Sequence, residues 1–161
     1  MDLMQLAEAV GERLNKEGLM LVTAESCTGG GVAQAVTAVS GSSHWFERGF
    51  VTYTNSAKQE MLGVAAQTLE QYGAVSEQTV CEMAQGALQH SHAHVALAIS
   101  GVAGPGGGSL EKPVGTVCLA WAGEGREPVS RTEHFLGDRE AVRRQAVERA
   151  LQGVLDLLGD G

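Results

Sequence analysis

The sequence predicts an α/β domain: a three-layer sandwich with a mixed, mostly parallel central sheet and flanking helices. Three observations carry that reading. Apolar runs of strand length alternate with segments of helical periodicity. Two of the runs, "LMLVTA" (19–24) and "HVALAIS" (94–100), are apolar without alternation, as strands buried on both faces are. The last two strand-like runs are joined by a short turn, the mark of an antiparallel hairpin.

The elements follow in order. Leu3, Leu6, Ala7, Val10 and Leu14 recur at helical spacing, and Gly18 stops the pattern. The first strand, 19–24, runs into "ESCTGGG", and a helix is expected from about Gly31 to Val39. "ERGFVTYT" (47–54) reads as a second strand. Asn55 or Ser56 can cap a short helix through Leu62. "VSEQTVCEMAQGALQHS" (75–91) has Ser76 at its cap and Val80, Met83, Ala84 and Leu88 on one face. After the strand at 94–100 comes an irregular stretch, "GVAGPGGGSLEKPVG" (101–115). "TVCLAWA" (116–122) and "PVSRTEHF" (128–135) make the hairpin. Asp138 caps a last helix with Val142, Ala146, Ala150, Val154 and Leu158 inward.

A chain of 161 residues suits one domain, 1–161, with a core large enough to need no staple. Aromatics are only 4% of residues, so that core is aliphatic. The net charge of −8 argues against nucleic acid as a partner, because a phosphate backbone wants a basic surface. No run is long enough to span a bilayer, and the N-terminus lacks a signal-peptide layout. Cys27, Cys81 and Cys118 are an odd count without metal spacing, which fits reduced thiols. A cytoplasmic protein is expected, without metal or cofactor, and a homo-oligomer is the expected assembly.

In doubly covered sheets, sites gather at the carboxyl ends of strands. Two glycine-rich turns follow strands directly, at 25–31 and 101–108, and are expected to lie close together. Ser26 ends the first strand just before a helix. It is either a nucleophile beside unpaired backbone amides or a capping serine in a glycine turn. Cys27 is the rival thiol, but neighbours on one backbone point different ways, and a cysteine enzyme usually pairs with histidine. None of His44, His90, His92, His94 and His134 sits at an obvious strand end near this turn.

A serine still needs a base. There are only three lysines. Lys16 lies on an exposed helix face. Lys112 stands in a Ser-x-x-Lys spacing with Ser109, but Pro113 disfavours the helical turn that spacing requires. Lys58 is better placed: "TYTNSAK" puts the Tyr53 phenol and an amine at a strand end and the next helical turn. That pair is either a proton-handling unit or a core tyrosine beside a surface lysine.

The loop "GVAGPGGGS" is not a Walker loop, since Gly107 stands where lysine is required, nor a dinucleotide fingerprint, since Ser109 replaces the third glycine. It can still offer backbone amides to a ligand. "HSHAH" has alternate histidines but no carboxylate or cysteine beside it, so no metal site is read there. In "GDREAVRRQ", Arg139 lies in the first helical turn and can pair with a phosphate. Arg143 and Arg144 read as a solvated face.

Together, "TAESCTGG", "FERGFVTYTNSAK", "GAVSE", "ISGVAGPGGGS", "KPVGTV" and "GDREAVRRQA" resemble the CinA C-terminal domain family over essentially the whole chain. Stand-alone bacterial members of that family are nicotinamide-nucleotide amidases. Fused members carry a further N-terminal domain, from which nothing is carried over. The resemblance implies metal-independent hydrolysis of the carboxamide of nicotinamide mononucleotide, with Ser26, Tyr53 and Lys58 as catalytic residues. It implies a small-molecule substrate held by Thr28, Gly29, Gly30, Asn55, Ser100, Gly101, Gly104, Pro105, Gly106 and Arg139. Gly107 departs from the aspartate that relatives often carry. A nucleotide-binding module without chemistry and a serine amidase for another small amide are the competing expectations.

Overall fold

The computed structural model describes residues 1–159. Five strands form one sheet in the order β2-β1-β3-β4-β5: β1 Leu21–Glu25, β2 Phe46–Val51, β3 Val95–Gly101, β4 Thr116–Gly123 and β5 Val129–His134. β1 pairs in parallel with both β2 and β3, whereas β4 is antiparallel to β3 and to β5. Four strands therefore run one way and β4 alone runs against them, a mixed and mostly parallel sheet.

Six helices cover it: α1 Leu3–Glu17, α2 Gly31–Thr37, α3 Asn55–Leu62, α4 Ala66–Tyr72, α5 Glu77–Gln89 and α6 Arg139–Leu158. The strand pleat sorts the core into two layers. Leu21, Leu97, Ile99, Leu119 and Trp121 face α1, α2 and α6. Ala24, Ala96, Ala98, Ala120 and Ala122 face α5 and the ends of α3 and α4. The alanine-rich face lets α5 lie close to the sheet. Gly86 completes that approach, since a Cβ there would run into the Leu62 carbonyl at the end of α3. None of the helices among the described residues is long and apolar enough to cross a membrane.

Most predicted elements stand within a few residues of their expected bounds, and the differences have physical reasons. Asp2 and Gln5 form a reciprocal cap that starts α1, and Gly18 ends it in the left-handed region at φ 69°. β2 stops at Val51 rather than continuing to residue 54. The Thr52 amide still reaches the Glu25 carbonyl at 2.9 Å, and then the chain turns out of the sheet. The cap of α3 is Thr54, whose hydroxyl accepts from the Ala57 amide at 3.0 Å, not Asn55 or Ser56. The sequence reading missed α4, whose cap position, Ala65, makes no side-chain cap bond. It also missed the 3-10 turn Ser42–His44.

Because β1, β2 and β3 are parallel, their carboxyl ends lie side by side. Glu25 is opposite Val51 on one flank and Ile99 on the other. That register brings residues 26, 52–53 and 101–107, from three separate parts of the chain, to one end of the sheet.

Candidate active site

Ser26 leaves β1 still tied to the sheet, its amide donating to the Ile99 carbonyl at 3.0 Å. The next residues turn sharply into α2. Gly29 and Gly30 take φ values of 59° and 100°, which explains glycine at both positions without reference to any ligand. Glu25, 1% exposed, turns its carboxylate back onto this turn. It accepts from the Thr28 hydroxyl at 2.6 Å, the Val32 amide at 2.9 Å and the Ala33 amide at 3.0 Å. It thereby supplies the cap that Gly30 has no side chain to provide.

Lys58, on the first turns of α3, is only 1% exposed. Its Nζ lies 3.0 Å from Ser26 Oγ, 2.9 Å from the Thr52 carbonyl oxygen and 3.2 Å from the Tyr53 carbonyl oxygen. Among the described residues no carboxylate forms an ion pair with it. Burial lowers its pKa from the ordinary lysine value, opposed only by Cys27. This is a buried amine in contact with a hydroxyl and two carbonyl oxygens, with no carboxylate among the described residues to pair its charge.

Tyr53 is placed differently. Its carbonyl serves Lys58, while its side chain is 61% exposed at the cleft mouth. The phenol accepts from Arg139 Nη2 at 3.3 Å and makes no hydrogen bond with Ser26 or Lys58 among the described residues. Arg139 Nη1 donates to the Gly104 carbonyl at 2.8 Å, so one side chain joins α6, the glycine loop and Tyr53.

The cleft between these groups holds about 300 Å³ and is lined by Ser26, Cys27, Tyr53, Lys58, Ala74, Val75, Ser100, Arg139 and the loop residues Gly101 to Gly104, Gly106 and Gly107. Of the expected substrate contacts, Ser100, Gly101, Gly104, Gly106 and Arg139 line it. Thr28, Gly29, Gly30, Asn55 and Pro105 do not. Thr28 is buried against Glu25, Gly29 and Gly30 serve the backbone turn, and Asn55 and Pro105 are exposed. Ser100 is 2% exposed, and its hydroxyl has no hydrogen-bond partner among the described residues. A larger hollow of about 600 Å³ lies between α1 and residues 38–45, but no buried polar pair faces it.

Cys27 packs into the core beneath the turn. Desolvation pushes its thiol up to about 11, against weaker opposing effects from its own backbone amide and Arg143. Near neutral pH only about one molecule in 10⁴ carries the thiolate, the nucleophilic form. Cys27→Ala is expected to retain most ammonia-releasing activity in steady-state assays. Loss of turnover comparable to removal of Ser26 would move the nucleophile to sulfur.

The Ser-x-x-Lys spacing at 109–112 resolves into a turn. Ser109 Oγ accepts from the Lys112 amide at 3.0 Å, and Lys112 Nζ reaches the Tyr72 carbonyl at 2.6 Å. The histidines of "HSHAH" diverge. His90 Nδ1 bonds the Gly86 carbonyl at 2.8 Å, and His94 Nδ1 accepts from the Met20 amide at 2.9 Å.

Sequence reasoning missed two residues here. Glu25 falls in the sequence at the start of the first glycine-rich turn, beyond the strand read at 19–24, and nothing local signals its burial. Arg143 read as solvated, yet its Nε donates to the Cys27 carbonyl at 3.1 Å and its Nη2 to the Thr28 carbonyl at 3.2 Å. The available signal was its i,i+4 spacing from Arg139, which sets both on one helix face.

The profile of the CinA C-terminal domain family matches residues 3–158. A protein named nicotinamide-nucleotide amidohydrolase PncC from Escherichia coli (strain K12) is 59% identical over 151 residues, 94% of this chain and 92% of that protein. The protein of the same name from Pseudomonas putida is 55% identical over 152 residues, 94% of each. Among solved structures, the competence/damage inducible protein CihA of Agrobacterium tumefaciens superposes with a TM-score of 0.96 at 46% identity, covering 98% of this chain and 96% of that one. A CinA superfamily protein from Escherichia coli gives a TM-score of 0.93 at 43% identity, covering 97% and 90%. With its full-length match in sequence and in fold, the chain belongs to the CinA C-terminal domain family.

Proposed function

We propose that this protein hydrolyses the carboxamide of nicotinamide mononucleotide to nicotinate mononucleotide and ammonia, through an acyl-enzyme on Ser26. One observation carries the chemistry: the Lys58 amine, buried and unpaired by any carboxylate among the described residues, 3.0 Å from Ser26 Oγ at the floor of a glycine-walled cleft. The names of the relatives at 55–59% identity, nicotinamide-nucleotide amidohydrolases, support the substrate.

The amine's contacts suit a base. A neutral amine has two N–H groups and one lone pair. The Thr52 and Tyr53 carbonyls take the two N–H groups, leaving the lone pair for the Ser26 hydroxyl, which then donates to Lys58. Lys58 accepts the hydroxyl proton as Oγ bonds to the carboxamide carbon, and the carbonyl oxygen becomes an oxyanion. The oxyanion is held by turn amides. Cys27, Thr28 and Gly30 are the candidates, because the Gly29 amide is already bonded to the Ser26 carbonyl at 3.0 Å.

As the C–N bond breaks, the Lys58 ammonium returns the proton to the leaving nitrogen and ammonia departs. Lys58 then takes a proton from water as the hydroxide bonds to the acyl carbon. When the ester C–O bond breaks, the Lys58 ammonium returns that proton to Ser26 Oγ, and the acid product leaves as its carboxylate, giving its proton to solvent. Ser100 faces the cleft with a free hydroxyl suited to the carboxamide or the attacking water. Tyr53 acts at the mouth with Arg139, against the sugar-phosphate end. Gripping that remote end orients the amide over Ser26.

The test is an ammonia assay on nicotinamide mononucleotide, its riboside and free nicotinamide. Turnover is expected on the mononucleotide and to fall by about 10²-fold or more when the phosphate is absent, as expected for lost orientation. Arg139→Ala should narrow that preference. Equal rates on all three would favour an amidase for another small amide. Mononucleotide binding without ammonia release would favour a binding module.

A further inference from the structure

Resting on the amidase reading, we propose that Arg143 is a positioning residue. It holds the Cys27–Thr28 peptide so that the Thr28 N–H is free to stabilise the oxyanion, and Glu25 anchors the same residue from its side chain. A trans peptide is planar, so the C=O and N–H of one unit point in opposite directions. The Cys27 carbonyl accepts from Arg143 Nε at 3.1 Å, and the Thr28 N–H belongs to that same unit. It therefore points away from Arg143, and it makes no hydrogen bond among the described residues. Of the nearby amides, Ser26 N donates to Ile99 and Gly29 N to Ser26, while those of Cys27 and Gly30, like that of Thr28, make no backbone hydrogen bond among the described residues. Only the Thr28 N–H belongs to the peptide unit that Arg143 Nε holds.

The unit has little freedom to rotate. The Thr28 carbonyl is held by Arg143 Nη2 at 3.2 Å and by the Gly31 amide at 2.9 Å. The Thr28 hydroxyl is held by Glu25 at 2.6 Å. Arg143 forms no ion pair among the described residues and does not line the cleft, so its guanidinium is spent on these two carbonyls. A Cβ at Gly29 would come within 3.1 Å of its Nη2, so the turn and the arginine fit one another closely. A cation on the carbonyl also polarises the peptide and strengthens its N–H as a donor.

Two variants test this separately in the full chain: Arg143→Met removes the carbonyl anchor, and Thr28→Val removes the hydroxyl held by Glu25. Steady-state ammonia release from nicotinamide mononucleotide is measured with melting curves, and Arg143→Lys serves as the rescue. An oxyanion donor is felt only in the transition state, and losing one costs about 10²–10³ in kcat. The expected result is a fall in kcat of roughly 10²-fold for Arg143→Met, with KM within about 2-fold and the protein folded at assay temperature. Thr28→Val falls in the same sense, and Arg143→Lys recovers part of the loss. A raised KM with intact kcat, or unchanged kinetics in both variants, overturns the assignment. So does a loss that merely tracks the unfolded fraction. A wild-type enzyme that releases no ammonia overturns the amidase reading along with it, whereas an active wild type with an indifferent Arg143→Met overturns only this inference.

Discussion

Ser26→Ala is expected to lower ammonia release from nicotinamide mononucleotide on the order of 10³–10⁶-fold, the range for removal of a nucleophile that acts with its base as a unit. The loss should fall on kcat, because the hydroxyl reacts rather than grips. The fold should survive. Among the described residues the side chain's one hydrogen-bond partner is Lys58, and a single such bond is worth about 1 kcal/mol. In a chain of this length that moves the melting midpoint by roughly 2–4 °C. Trapping with substrate should add the acyl mass to the peptide containing Ser26 in the wild type and not in the variant. Activity that persists in Ser26→Ala removes this serine from the mechanism.

Lys58→Met is expected to be nearly as damaging, with kcat lower by about 10³-fold or more, since neither acylation nor deacylation keeps its base. The wild-type pH profile should rise along one limb as Lys58 loses its proton. Burial lowers that pKa, so the limb falls below the ordinary lysine value of 10.5.

Stability follows the same titration. The folded pKa is depressed, so between it and the unfolded value near 10.4 the unfolded chain binds more protons at Lys58. Charged Lys58 therefore destabilises the fold below the lowered pKa, and the penalty is relieved as pH rises through that window. The methionine variant lacks this term, though it leaves two carbonyls without a donor at about 1 kcal/mol each. Denaturation at pH 7 and pH 9.5 should show the wild type gaining on the variant as pH rises. A difference flat in pH would mean that Lys58 keeps its charge in the folded protein throughout that window.

The elements were legible where periodicity and caps agreed. The Asp138 cap, the Gly18 stop and the apolar runs of β1 and β3 each state a local preference that packing does not oppose. α4 was not legible, because its one buried residue, Leu69, gives no period to read. The bounds of β2 were overrun because Thr52, Tyr53 and Thr54 are all good strand residues. Their departure from the sheet is decided by where β1 ends.

What could be read from the sequence was a parallel core with two glycine turns at strand ends, at 25–31 and 101–108; roles for Ser26, Tyr53 and Lys58 stayed open on the residues alone and came from the family resemblance. Strand runs, turn chemistry and helix caps are short-range properties, and they survive in one dimension. Tertiary structure alone decided how those pieces divide the work. The register of β1 between β2 and β3 sets the Lys58 amine against Ser26 and turns the Tyr53 phenol outward to Arg139. It also decided that Glu25 and Arg143, unremarkable in the sequence, close on the turn after Ser26 from a strand and from a helix more than a hundred residues away. Hydrogen bonds and desolvation act over a few ångströms, and only the packed sheet and helices bring such distant residues that close.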